Sequence, residues 1–143
     1  PQDAEARHVI VHHTVGTNDY DADQSASIVR GIYYYHAVTL GWGDIGYNFL
    51  VDKYGTVFEG RDGTLSASPG TMTVGAHAYG ANTGTMGISM MGTYTSVSPS
   101  DAQLTSVGAV AGWFLDRAGV ELDRVLPLGR PGAATPVAGA ADG

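Results

Sequence analysis

Apolar and polar positions along this chain switch between two periods, and the switches mark its elements. Arg7 to Val11 is a short run whose alternation is broken only by apolar residues, which predicts a strand central in a sheet. Asp21 with Gln24 has the form of a capping box. Ile28, Ile32 and Tyr35 then fall at helical spacing, predicting a helix that ends near Leu40-Gly41. Tyr47 to Val51 and Thr56 to Glu59 read as strands joined by the turn Asp52-Lys53-Tyr54-Gly55. Residues 60–85 are rich in Gly, Ser, Thr and Ala and read as a long surface loop, a feature that compact domains keep mainly for function. Met86 to Met91 is a further strand. Ser98-Pro99-Ser100-Asp101 opens a helix, with proline at its first position. Leu104, Val107, Val110, Ala111, Phe114 and Leu115 form its apolar stripe through about residue 118. Leu126 to Gly143 is rich in Gly, Ala and Pro and suits a loop or a frayed tail. Strands interleave with helices, so the expectation is one α/β domain: a central mixed β-sheet flanked by helices.

Composition narrows the function classes. A chain of 143 residues is most simply a single domain with a real core. Hydrophobic residues at 43% against 15% charged favour a globular chain over a disordered one. The net charge of −7 argues against nucleic acid and against anionic membrane surfaces. No apolar run is long enough for membrane insertion. Cysteine is absent, which excludes disulfides and thiolate ligands. The chain opens Pro1-Gln2-Asp3 with no methionine or signal-peptide pattern, as a mature, processed or excised domain would.

Candidate chemistry concentrates in two stretches. Gly41-Trp42-Gly43-Asp44-Ile45-Gly46-Tyr47-Asn48-Phe49-Leu50-Val51 is a glycine-permitted loop feeding a strand that begins at a tyrosine. Val9-Ile10-Val11-His12-His13-Thr14 ends the first strand in two histidines. Neighbouring strand side chains face opposite ways, so only one of the pair can serve a given site while the other packs or is solvated. His36, late in the first helix, reads as a core or helix-end histidine. His77, in the 60–85 loop, is better placed for a ligand, and His8 lies two strand residues away in the wrong direction. A catalytic zinc takes three protein ligands and one open position. No HExxH, CxxC, nucleophile elbow or phosphate loop occurs, so spacing alone establishes no metal site. Tyr47 reads either as a half-buried strand tyrosine or as a donor beside a metal-bound hydroxide.

Taken together these residues resemble the peptidoglycan recognition protein and N-acetylmuramoyl-L-alanine amidase type 2 family. The matching pieces are VIVHHT at 9–14, His36, GWGDIGYNFLV at 41–51, GTVFEGR at 55–61, GAHA at 75–78, Asn82 and MGISMMGTY at 86–94, in family order, over about residues 7–118. The resemblance implies a central mixed sheet with a substrate groove on one face. For active members it also implies zinc and hydrolysis of the amide between muramic acid and L-alanine. By position, His12 matches the first zinc ligand and Tyr47 the tyrosine assisting metal-bound water. His36, His77 and Tyr79 match groove residues that touch the muramyl peptide, with Thr14 beside them. Gly41 and Trp42, with Arg61, match the preference for stem peptides carrying meso-diaminopimelate, whose extra carboxylate suits a guanidinium fork.

The chain departs from that pattern at its end. Where amidases carry a second histidine and a cysteine or aspartate, this chain reads Leu128-Gly129-Arg130-Pro131-Gly132-Ala133, and no histidine or cysteine follows His77. His12 is the one matched metal ligand, and residues 119–143 form a divergent tail. Two functions follow from the resemblance: a zinc amidase of cell-wall stem peptides, or a non-catalytic peptidoglycan recognition module. A third arrangement would build a substitute metal site from His12, His36 and His77. Any of these would place the chain outside the cell or at the cell wall.

Overall fold

The computed structural model describes residues 2–120. The glycine-rich tail expected over 126–143 lies outside the described residues. A four-stranded sheet forms the centre. Its strands are β2 (His8–His13), β6 (Thr85–Met90), β3 (Phe49–Val51) and β4 (Val57–Glu59), lying side by side in that order. β2 and β3 both run parallel to β6, and β4 returns antiparallel to β3, so the sheet is mixed as expected. A second, two-stranded sheet pairs β1 (Asp3–Glu5) with β5 (Thr71–Thr73).

The period-two pattern sorts the core into two layers. Val9, Phe49, Val51, Met86 and Ile88 face helix α2 (Asp101–Ala118) and pack with its Val107, Phe114 and Leu115. On the other face Leu50 and Met91 pack with Tyr20, Ile45 and the Ile28 and Ile32 side of helix α1 (Ser25–Tyr33). The molecule is therefore a three-layer α/β sandwich, and the face toward α1 carries His12.

Several expectations shift. Among the described residues β2 stands at the sheet edge, not its centre, which β6 occupies. Helices cover both faces of the sheet, so even an edge strand reads as continuously apolar. The predicted loop over 60–85 contains β5, too short for its alternation to register. The second helix begins at Asp101 with Ser100 as its cap, accepting from the Gln103 N–H at 3.1 Å; Pro99 precedes the cap and is not its first residue. Leu104, assigned to the stripe, is 48% exposed, while Gln103 is fully buried in its place. The Gln103 amide donates to Val51 O at 2.8 Å and Met91 O at 3.4 Å, pinning α2 across the ends of two strands.

The first helix does not run as an α-helix to Leu40. Asp21 opens the segment as expected, its N–H donating to Gln24 Oε1 at 2.7 Å. Beyond Tyr33 the helix widens into a π segment, Tyr34–Thr39, closed by Leu40 N–H to Tyr35 O and followed by Gly41 in the left-handed region at φ 71°. Tyr35 consequently lies 53% exposed, and His36 takes the inward position. The turn at 52–55 forms as predicted: Asp52 Oδ1 accepts from Tyr54 N–H and Thr56 N–H, and Gly55 supplies φ 87°.

Candidate functional site

The last turn of β2, the π segment and the 41–47 loop converge above the α1 face of the sheet. His12 and Tyr47 lie with ring centroids 5.8 Å apart. His36 stands 5.5 Å from Tyr47 and 4.8 Å from Trp42. His77 meets His12 edge-on at 5.1 Å, with His12 Nε2 2.9 Å from His77 Nδ1. Residues separated by up to 65 positions thus form one continuous row, Trp42–His36–Tyr47–His12–His77.

β6 makes room for it. On its site-facing side it carries Gly87 and Ser89, beside Ile10 and His12 of β2. A Cβ at position 87 would lie within 2.7 Å of three atoms of the His77 ring. Ser89 is fully buried next to Tyr47, its hydroxyl lacking a well-formed hydrogen-bond partner. Sequence reasoning missed both residues; their signal was the run of small side chains on alternate positions of Met86-Gly87-Ile88-Ser89.

Burial sets the protonation. His12 falls from an ordinary 6.5 to about 4, chiefly because its charged form would be desolvated, with the neighbouring His77 and His13 adding repulsion. His36 and His77 are lowered by burial too, each also feeling the Arg61 charge, while the bond to Thr85 O pulls His77 the other way. Burial pushes the Tyr47 phenol up, opposed by Ser89. At neutral pH the row is uncharged: three imidazoles and a phenol.

The other candidate residues divide. Thr14 sits at the rim, its Oγ1 accepting from Gly92 N–H at 3.0 Å, and Val15 beside it holds φ 60°, unusual for a β-branched residue. His13, facing away from His12, accepts from Tyr94 N–H through Nδ1 and supports the strand end. Tyr79, at 98% exposure, projects from the 75–84 loop outside the row. Arg61 is more committed to the scaffold than the sequence suggested: Nε donates to Ile45 O at 2.9 Å and Nη1 to Val74 O at 3.3 Å, leaving Nη2 buried without a partner. It lines a cleft of about 350 Å³ with Gly43, Asp44 and Gly75.

Zinc does not fit the side chains of the described residues. Among the described residues no three His, Asp or Glu side chains lie close enough to hold a metal ion. The His12–His36–His77 trio fails as a substitute site, because His77 Nδ1 bonds to His12 and His36 Nδ1 accepts from Gly46 N–H at 3.0 Å. Glu121, Asp123 and Asp142 lie outside the described residues.

The three-layer mixed-sheet domain has counterparts among known proteins. The N-acetylmuramoyl-L-alanine amidase family model matches residues 2–139. Peptidoglycan-recognition protein SC2 of Drosophila simulans is 39% identical over 101 residues, covering 69% of this chain and 50% of that protein. The human N-acetylmuramoyl-L-alanine amidase is 39% identical over 99 residues, covering 68% of this chain and 16% of that protein. Among solved structures, peptidoglycan recognition protein-LE in complex with tracheal cytotoxin, a monomeric diaminopimelic acid-type peptidoglycan, superposes with TM-score 0.70 at 27% identity, over 81% of this chain and 65% of that one. The chain belongs to the peptidoglycan recognition protein and amidase type 2 family, and spans half or less of these two curated relatives' length.

Proposed function

We propose that this chain binds the muramyl peptide of peptidoglycan along the Trp42–His36–Tyr47–His12 row, as a recognition module. The observation that carries the reading is the row itself: four uncharged rings on one sheet face, in a chain whose sequence has no histidine or cysteine after His77. Flat rings suit sugar faces and peptide backbone, and neutral imidazoles supply both donors and acceptors to amides and hydroxyls. The structural neighbour bound to a diaminopimelic acid-type fragment supports the same ligand class and the meso-diaminopimelate preference. Gly41 leaves the approach past Trp42 open, with no heavy atom within 4 Å of a Cβ placed there. The setting is extracellular or cell-wall associated.

Amidase activity is the second reading, favoured by Tyr47 standing beside His12 and by a family match that continues to residue 139. One experiment separates the two. Purified chain is incubated with diaminopimelate-type cell-wall fragments, with and without added zinc, and both retention on the wall and release of stem peptide are measured. Retention without release is expected. Release that depends on zinc would establish the amidase, and absence of both retention and release would refute both readings.

A further inference from the structure

The His77 ring is held from three directions. Its Nε2 lies 3.0 Å from Thr85 O, a carbonyl that can only accept, so Nε2 carries the hydrogen. Its main-chain N–H donates to Asn82 Oδ1 at 2.8 Å, and Gly87 lets the ring lie directly on β6. In a neutral ring with hydrogen on Nε2, Nδ1 bears only a lone pair. His12 Nε2, 2.9 Å away, is therefore the donor, and the hydrogen on His12 resides at Nε2. Both ring nitrogens of His77 then have partners within the protein, leaving neither for a ligand. His12 Nδ1 receives no hydrogen bond from any described residue.

We propose that His77 is a positioning residue: the chain Thr85 O–His77–His12 locks the His12 ring in orientation and tautomer and keeps its Nδ1 lone pair as the acceptor offered to the groove. His77 thus acts through His12 rather than by touching the muramyl peptide, the role its sequence position suggested. A ligand group meeting His12 is accordingly a donor, such as an amide N–H or a sugar hydroxyl, and not a carbonyl oxygen. This consequence rests on the binding reading above; the lock itself does not.

Proton–nitrogen correlation spectra of the isotope-labelled chain at neutral pH test the lock without any ligand. The expected result is hydrogen on Nε2 of both rings and a scalar coupling through the hydrogen bond between His12 Nε2 and His77 Nδ1. Hydrogen on His12 Nδ1, or a missing coupling with averaged tautomer signals, overturns the proposal. Adding a muramyl peptide should move the His12 Nδ1 signal and spare His77 Nε2; a persistent coupling with no shift would sink the binding reading alone. His77→Asn places an acceptor oxygen where Nδ1 stood and should bind within a few-fold of the wild type. His77→Phe fills the same space without an acceptor and should bind several-fold more weakly. Equal losses in both variants would mark a direct contact and overturn the proposal, and if His77→Phe does not fold, the wild-type coupling still decides.

Discussion

At the scale of single residues the site is governed by desolvation. His12 has its pKa lowered from 6.5 to about 4 on folding, so between those values the unfolded chain binds the extra proton. Stability from this group is therefore complete above about pH 6.5 and is lost as the pH falls toward 4. At roughly 1.4 kcal/mol per unit the loss from His12 is at most about 3.5 kcal/mol, with His36 and His77 shifting in the same direction. Urea unfolding with a chelator present, at neutral pH and near pH 4.5, should show the decline, and a His12→Asn variant should show a shallower one. An equal slope in both would place the burial argument elsewhere. Arg61 and Trp42 separate by a similar logic. Arg61→Ala abandons two backbone carbonyls that the guanidinium satisfies and should cost about 1.5–3 kcal/mol of stability. Trp42, at 44% exposure, should cost less than about 1 kcal/mol when replaced by alanine, yet lower affinity for diaminopimelate peptides more than for lysine peptides. An unchanged ratio of the two affinities would remove Trp42 from the specificity assignment. Tyr47→Phe keeps the ring in its row and should leave retention on cell-wall fragments within about twofold.

At the scale of elements, chain patterning revealed the strands' existence more readily than their neighbours. The hairpin was legible because Asp52 and Gly55 have turn chemistry independent of the fold, although its first strand begins at Phe49 and leaves Tyr47 in the preceding loop. The edge position of β2 was not legible, since burial by flanking helices erases the difference between edge and centre. The inward turn of His36 was hidden for another reason: extrapolating an α-helical period through Tyr35 assumes regular hydrogen bonding, and the helix widens there. Gln103 broke the apolar stripe because its amide answers strand-end carbonyls that only the tertiary structure brings near. Gln103→Leu should therefore cost about 1–3 kcal/mol despite adding apolar surface, because Val51 O loses its donor. Gly87→Ala, in the middle of β6, should cost about 1–3 kcal/mol by driving a methyl into the His77 ring. It should also weaken muramyl-peptide binding, and normal affinity in a destabilised Gly87→Ala chain would show that the ring's seat does not matter to the groove.

At the scale of the whole molecule, the candidate residues came from resemblance; the structure brings Trp42, His36, Tyr47, His12 and His77 together and leaves Tyr79 apart, whereas the metal question turns on the lack of companions for His12 among the described residues. The two core layers share one sheet, so disturbance of either reaches the site through β6. The net charge of −7 has its own consequence for association. Muramyl peptides carry carboxylates, so long-range forces oppose their approach to an acidic protein, and added salt screens that repulsion. Raising ionic strength from about 50 to about 200 mM should leave affinity unchanged or slightly higher. A steep fall, read by calorimetry across the same range, would mean that cationic contacts dominate binding and that the uncharged row is secondary.

The widened stretch Tyr34–Thr39 makes spacing, more than composition, the feature that decides which side chain enters the cleft. Six residues of the widened coil turn through about the same angle as five residues of regular α-geometry, so dropping one residue there would let the coil tighten without rotating the stretches on either side against each other. A one-residue change of length between positions 34 and 39 is thus absorbed within the widened turn, altering which side chains it carries while the helix before it and the strands beneath keep their places.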